Sequence, residues 1–311
     1  MKKGDIVLPP FGRMTDTHLA AMQKNLVPSD WRVPAGSTQS AEAHYKEFLK
    51  QALGLIKQTL WPEYTASGWS GDTITTMVPL TRLDLGLMLQ SQQDGLFDHS
   101  IAPADKRVTR THKELFARED AGEESFGAHY GDYDPDASLD LTERMRKLGD
   151  VGLRRKVANG PLLLKQALQR PRPYQTSLLL AVNSFRYQEA ITATTPSIFS
   201  GHCLQGTLCI GYILEELLNA DTTITGQMLQ YTVDIGDRRV LAGVHYPSDN
   251  LASWMIALMS APFVFRNSGV KPLLWKAITK FSLVYPRIRD ANDHLYAPAL
   301  QALKEIASDS V

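Results

Sequence analysis

Apolar positions recur along this chain at helical spacing, and the strict alternation that marks a half-buried strand is scarce. Tyr45, Phe48, Leu49, Ala52 and Ile56 form a stripe at i, i+3, i+4 steps, and comparable stretches run through Leu80 to Leu89, Leu141 to Leu148 and Leu273 to Val284. The pattern predicts an all-α fold, a single globular multi-helix domain over residues 41–311 with any active site in the core of the helical bundle. Residues 1–40 read differently, because Pro9-Pro10, Pro28, Pro34 and Gly36 interrupt any helix and predict an extended arm along the surface. Neither an internal repeat nor a low-complexity block is present.

The longest apolar stretch, Leu251 to Phe265, is interrupted by Pro262. It falls short of the roughly 20 apolar residues that a membrane-crossing helix needs, so it reads as a buried core helix and no transmembrane segment is expected. Composition fits a globular protein, with 43% hydrophobic and 21% charged residues. The 33 basic residues are matched by 33 acidic ones, which leaves no basic field for nucleic acid. Met1-Lys2-Lys3 is a basic start, but Gly4-Asp5 and Pro9-Pro10 follow without the apolar run of a signal peptide. The expected location is cytoplasmic, or periplasmic if a leader has been removed. Cys203 and Cys209 diverge on one helix and cannot readily bridge, so two free, buried thiols are expected, compatible with a reducing compartment.

Three short pieces carry candidate chemistry: Lys165-x6-Arg172-Pro173, Ser200-Gly201-His202, and Arg239-x5-His245-x3-Asp249. In the first, a step of seven is nearly two helical turns, which puts Lys165 and Arg172 on one helix face where both cations reach one anion. Pro173 then ends that helix, and Pro171 hints at an earlier break. In the second, Ser200 reads as the N-cap of a long apolar helix. The free amides of its first turn attract an anion, Gly201 lets the backbone approach closely, and His202 stands beside the anion. In the third, a step of six separates Arg239 and His245 by about 240° on a helical wheel. With Pro247 following, a helix, a break and a second helix fit better and turn both residues inward. Asp249 then accepts a hydrogen bond from one nitrogen of His245 and leaves the other unprotonated and nucleophilic.

From Lys165 to Asp249 these residues resemble the soluble acid phosphatases of the type 2 phosphatidic acid phosphatase and vanadium haloperoxidase superfamily. Two positions depart from the family pattern: Phe199 replaces the usual proline before Ser-Gly-His, and Arg238 replaces the usual serine before Arg239. Both are expected to neighbour the pocket. The resemblance implies that His245 attacks phosphorus to give a phosphohistidine, and that His202 protonates the leaving alcohol and then activates water. Lys165, Arg172, Ser200, the Gly201 amide and Arg239 would bind the non-bridging oxygens, and Asp249 would orient His245. That scheme requires no metal or cofactor.

In the haloperoxidase branch the same pocket binds vanadate, with the equivalent of His245 as its ligand, so vanadate is the alternative cofactor. Gln166 stands where haloperoxidases tend to carry an aromatic residue. Arg170-Pro-Arg172-Pro173-Tyr174 and Gly243-Val244-His245-Tyr246-Pro247-Ser248-Asp249 look more like the phosphatases. The favoured reading is a metal-independent hydrolase of phosphate monoesters, with a haloperoxidase or a non-catalytic phosphate-binding protein as alternatives. A nucleotide, a sugar or polyol phosphate, a diphosphate or a lipid phosphate all remain open as substrate. Oligomeric state is not legible.

A second constellation is acidic. Asp132, Asp134, Asp136, Asp140 and Glu143 have the spacing of an EF-hand calcium loop. Ala137 stands where the sharp turn needs glycine, and Gly127 to Gly131 make a poor entering helix. The favoured reading is an acidic loop followed by an Asp140-x-x-Glu143 capping box. His44, His112, His129 and His294 read as surface or hydrogen-bonded histidines. Trp61 and Trp69 are candidates for the border of a substrate cleft.

Overall fold

The computed structural model describes residues 20, 24–60, 71–101, 110–121, 126–168 and 170–309. The expected cleft tryptophans Trp61 and Trp69, and the first part of the expected arm, lie outside them. The helices are α1 (Ala41–Leu60), α2 (Gly71–Gln93), α3 (His112–Ala121), α4 (Tyr130–Tyr133), α5 (Leu139–Lys156), α6 (Leu162–Leu168) and α7 (Pro173–Leu179). They continue as α8 (Gly201–Asn219), α9 (Gly226–Leu241), α10 (Pro247–Val264), α11 (Val270–Phe281), α12 (Val284–Asp290) and α13 (Ala297–Ser308). Among the described residues the only extended pairing is an isolated bridge between Ser100 and Thr111. The fold is all-α, as the periodicity predicts.

Helix α8 is the hub and packs on α5, α9, α10 and α11. It is apolar almost all round, and so is α10, of whose 18 residues 15 are buried; helices of that kind belong in a core. The Leu251 to Phe265 stretch thus lies inside the bundle, and among the described residues no helix is long and apolar enough to cross a membrane. The stripe of α1 is buried as its spacing predicts. Residues 24–40 are irregular and lie against the helices: Trp31 packs on Tyr45, Phe48 and Phe263, and Nε1 of Trp31 donates to Nδ1 of His44 at 3.0 Å.

Three expectations about local structure are corrected. Lys165 and Arg172 do not share a helix, because α6 ends at Leu168 and Arg172 is the extended N-cap of α7, with ψ of 156°. Arg170 and Arg172 each precede a proline, which drives both out of the helical region, and Pro173 therefore begins a helix where it was expected to end one. The Leu273 to Val284 stretch breaks at Ser282, where buried Asp237 accepts from the Ser282 hydroxyl and from the amides of Leu283 and Val284. The cap of α5 is Ser138, whose Oγ accepts from the Leu141 amide at 3.1 Å; Asp140 lies one residue inside the helix.

The contact between α8 and α9 positions the second motif against the third, and glycine makes it close. A Cβ on Gly236 would lie 2.5 Å from Sγ of Cys203, and one on Gly206 would lie 2.9 Å from Cβ of Ile235. Gly86 of α2, by contrast, faces open space. Replacing a helical glycine with alanine adds about 0.5–1 kcal/mol of helix stability, whereas overpacking a core removes about 1–3 kcal/mol. Urea unfolding should therefore show Gly86→Ala stabilised and Gly236→Ala destabilised. Equal shifts in the two variants would refute the close-contact account.

Candidate functional site

The three motifs meet where the N-terminus of α8 faces the break between α9 and α10. Ser200 caps α8, its Oγ accepting from the Cys203 amide at 3.3 Å. A Cβ built on Gly201 would meet nothing within 4 Å, so the first turn opens onto space into which its free amides can donate. The break after α9 turns at Gly243, whose φ of +79° favours glycine, and a side chain there would lie 2.7 Å from the Arg186 carbonyl. This turn reverses the chain between Arg239 and His245, as the wheel argument requires. The Ser253 hydroxyl donates to the carbonyls of Ser200 and Asp249, at 2.9 and 2.8 Å, and so ties α10 to the α8 cap.

The proton of His245 can be placed by elimination. Nδ1 lies 3.1 Å from Oδ2 of Asp249, which only accepts, and Nε2 lies 2.8 Å from Nη1 of Arg172, which only donates. Nδ1 therefore carries the hydrogen and Nε2 the lone pair. Burial, the Arg172 charge and the Lys165 charge hold the ring's pKa well below the usual histidine value, against the pull of Asp249. Burial raises the Asp249 carboxyl, but Arg170, His245 and Ser197 outweigh it and hold that group well below the usual carboxylate range. Oδ2 of Asp249 accepts from the Tyr246 amide at 3.0 Å and from Ser197, while Oδ1 takes Nη1 of Arg170 at 2.9 Å.

Lys165, Arg170, Arg172, Arg238 and Arg239 are each at most 3% exposed, and what each is paired with separates their roles. Arg170 lies between two carboxylates, Asp84 at 2.8 Å and Asp249 at 2.9 Å. Arg238 pairs with Glu119 and donates to the Tyr133 hydroxyl at 2.5 Å. It points away from the motif residues, which corrects the expectation that it borders the pocket; neighbouring positions on a helix face about 100° apart. Phe199 does border the site, its ring 5.2 Å from the Lys165 ammonium.

Lys165 and Arg172 meet dipoles where Arg170 and Arg238 meet charges. Nζ of Lys165 donates to the carbonyls of Pro196 at 2.7 Å and Ser197 at 3.3 Å. Arg172 donates to the carbonyls of Thr195 and Val244, both at 2.8 Å, besides His245. Arg239 is half-paired: Nη2 reaches Asp120 at 2.8 Å and Thr192 at 2.7 Å, while buried Nε and Nη1 have no protein partner. Burial and mutual repulsion depress Lys165 well below its usual value and bring Arg172 down to about 10. Such a surplus of buried positive charge is unfavourable unless an anion joins it.

Half-buried His202 shares this field. Burial, Arg239, Arg172 and Lys165 depress its pKa well below the usual value, with Asp120 opposing. Asp120, Thr192, Thr195 and Ser197 were not legible as site residues, because carbonyl and side-chain partners from loops and from α3 have no fixed sequence spacing. Arg170 was legible only as a mark of resemblance.

The acidic constellation does not converge. Asp132 lies in α4 and pairs with Arg110 at 2.9 Å, Asp134 accepts from Tyr130, and Glu143 pairs with Arg146 at 2.8 Å. Among the described residues no group of three or more His, Cys, Asp or Glu side chains is arranged to hold a metal ion.

Residues 156–271, which contain all three motifs, match the PAP2 superfamily and constitute a PAP2 superfamily domain. No curated protein and no solved structure matches the chain.

The depressed His202 has a thermodynamic consequence. Its ring stays neutral to a lower pH than an ordinary imidazole does, and a bound dianion among Lys165, Arg172 and Arg239 would offset their repulsion and raise its pKa. Binding then takes up protons at pH values between the lowered and the raised pKa. Sulfate, which does not titrate there, should bind with proton uptake on the acid side of the ordinary histidine value when calorimetry is run in buffers of different ionisation enthalpy. His202→Gln should lower that uptake, leaving the share of the likewise depressed His245 and Lys165. Sulfate binding without uptake in the wild type would refute the coupling.

Proposed function

We propose, from the PAP2 superfamily domain at residues 156–271 and the geometry around His245, that this chain is a metal-independent phosphatase acting on phosphate monoesters. The observation that carries the reading is the state of His245: a lone pair on Nε2, a proton on Nδ1 tied to ionised Asp249, and a surplus of buried cations around it. A nucleophile that must attack a phosphate dianion needs a free electron pair inside a positive field.

In the first step Nε2 of His245 attacks phosphorus and the bond to the leaving oxygen breaks. Protonated His202 delivers its proton to that oxygen. Asp249 stabilises the positive charge that forms on the His245 ring. Lys165, Arg172, the free edge of Arg239 and the first-turn amides of α8 bind the three non-bridging oxygens. Arg172 changes partner on the way, moving its Nη1 hydrogen bond from the His245 lone pair to a phosphate oxygen. In the second step neutral His202 takes a proton from water, the resulting hydroxide attacks phosphorus, the N–P bond breaks and phosphate leaves. Partners are phosphate esters, whose charge raises the depressed His202 towards the protonated state it needs, while the depressed His245 starts with the free lone pair that attack requires.

Hydrolysis of p-nitrophenyl phosphate should persist in EDTA and be inhibited by vanadate, and His245→Ala should reduce it to background. His202→Ala should lower kcat/KM for an alkyl phosphate by about 10²-fold or more. The loss on p-nitrophenyl phosphate should be smaller, because nitrophenolate leaves without a proton. Full activity in His245→Ala would exclude this mechanism. Bromide oxidation by peroxide after vanadate loading, without ester hydrolysis, would assign the pocket to haloperoxidase chemistry instead.

A further inference from the structure

The group that orients His245 is itself held by residues from outside the matched domain. Asp84 on α2 is fully buried and every one of its contacts is a donor. Oδ1 accepts from the Tyr296 hydroxyl at 2.6 Å and the Ser248 amide at 3.1 Å; Oδ2 accepts from the Ser248 hydroxyl at 2.5 Å and Nη2 of Arg170 at 2.8 Å. Burial lifts the Asp84 carboxyl above its usual value, with Arg170, Ser248 and Tyr296 opposing the rise. The Arg170 guanidinium at 2.8 Å and the Ser248 amide at 3.1 Å can only donate, one to each oxygen, which favours the carboxylate form.

Arg170 presents one nitrogen to each acid. Nη2 goes to Asp84 while Nη1 goes to Oδ1 of Asp249 at 2.9 Å and to the Ser248 hydroxyl at 2.7 Å. Its guanidinium lies 3.7 Å over the Tyr246 ring, which keeps it in place. An arginine beside a lone carboxylate prefers to bind both oxygens in a forked pair. A fork on Asp249 would take Oδ2, the oxygen that accepts the His245 proton.

We infer that Asp84 is a positioning residue that holds Arg170 to a single contact with Asp249, and so reserves the second Asp249 oxygen for His245. The two flanks of the PAP2 domain would thus set the nucleophile: α2 supplies Asp84, and Tyr296, the residue before α13, fixes Asp84 in turn. For catalysis the inference rests on the proposed phosphatase reading, but the hydrogen bond it concerns can be observed without turnover.

The low-field proton of His245 Nδ1, assigned by its disappearance in His245→Gln, reports that bond directly by NMR. In Asp84→Asn the fork should close on Asp249 and the resonance should move upfield or exchange away. In Asp84→Asn/Arg170→Gln, where no fork is possible, it should return. Carboxylates that orient metal-bound histidines set the scale, since losing one costs about 10–100-fold. The kcat of Asp84→Asn should fall by that range while inhibition by inorganic phosphate stays within about twofold, because Lys165, Arg172 and Arg239 are untouched. A general loss of packing would weaken phosphate binding as well. Tyr296→Phe removes one hydrogen bond from Asp84 and should give a smaller change in the same direction, which keeps the test available if Asp84→Asn fails to fold. An unchanged His245 resonance in folded Asp84→Asn, or in Tyr296→Phe should the former not fold, overturns the inference. So does a resonance that the double variant fails to restore. If the wild type hydrolyses no phosphate ester, the phosphatase reading fails and the NMR comparison alone decides the role of Asp84.

Discussion

Five cationic side chains are buried in one helical core, and the structure follows from how each is compensated. A buried charge without a counter-charge is costly by several kcal/mol, so the carboxylates of α2, α3 and α10 must be delivered to set positions. Arg170 and Arg238 receive whole negative charges from Asp84, Asp249 and Glu119, and they tie the bundle together. Lys165 and Arg172 receive only backbone carbonyls, and Arg239 receives one carboxylate on one edge. The unsatisfied remainder faces the N-terminus of α8, whose own dipole is positive. A pocket with that balance favours a polyanion over water, and it does so through side chains and amides that need no rearrangement of the fold.

Three of the candidates, Arg172, Ser200 and His245, occupy breaks between helices, while Lys165, His202, Arg239 and Asp249 lie within them. A residue inside a helix has its backbone groups spent on the helix and points radially from it, whereas a residue at a break can be aimed by its neighbours. Arg172 is fixed as an extended N-cap between two prolines, His245 follows the left-handed turn at Gly243, and Ser200 begins α8. The rigid elements behind them are the closely packed α8 and α9, with Gly206 and Gly236 at their contact. Rigidity behind and irregularity in front is what a site needs when reacting atoms must be placed to within a fraction of an ångström.

Much of this was legible before the structure. The stripe of α1, the buried character of Leu251 to Phe265, the Ser200 cap and the helix, break, helix form of the third motif all follow from local rules about periodicity, capping and proline. The failures were also local rules, applied one step too far. Lys165 and Arg172 share a wheel face only if the helix continues, and the paired prolines stop it. Asp140 resembled a cap because of the acid three residues on, but Ser138 wins since its short hydroxyl reaches the Leu141 amide from an extended backbone. Arg238 adjoins a site residue in sequence, yet the turn of the helix sends it to Glu119 and Tyr133.

The sequence by itself determined the fold class and singled out the candidate site residues, because helical periodicity, N-caps and proline breaks act over a few residues and need no partner from afar. Only the tertiary structure decided which cations are neutralised and which are left over. Asp84 meets Arg170, Asp120 meets Arg239 and Glu119 meets Arg238 across 86, 119 and 119 positions of chain. No spacing rule spans such separations. The sign of the field at His245 is a sum over those long-range pairs, and it exists only once the helices have packed.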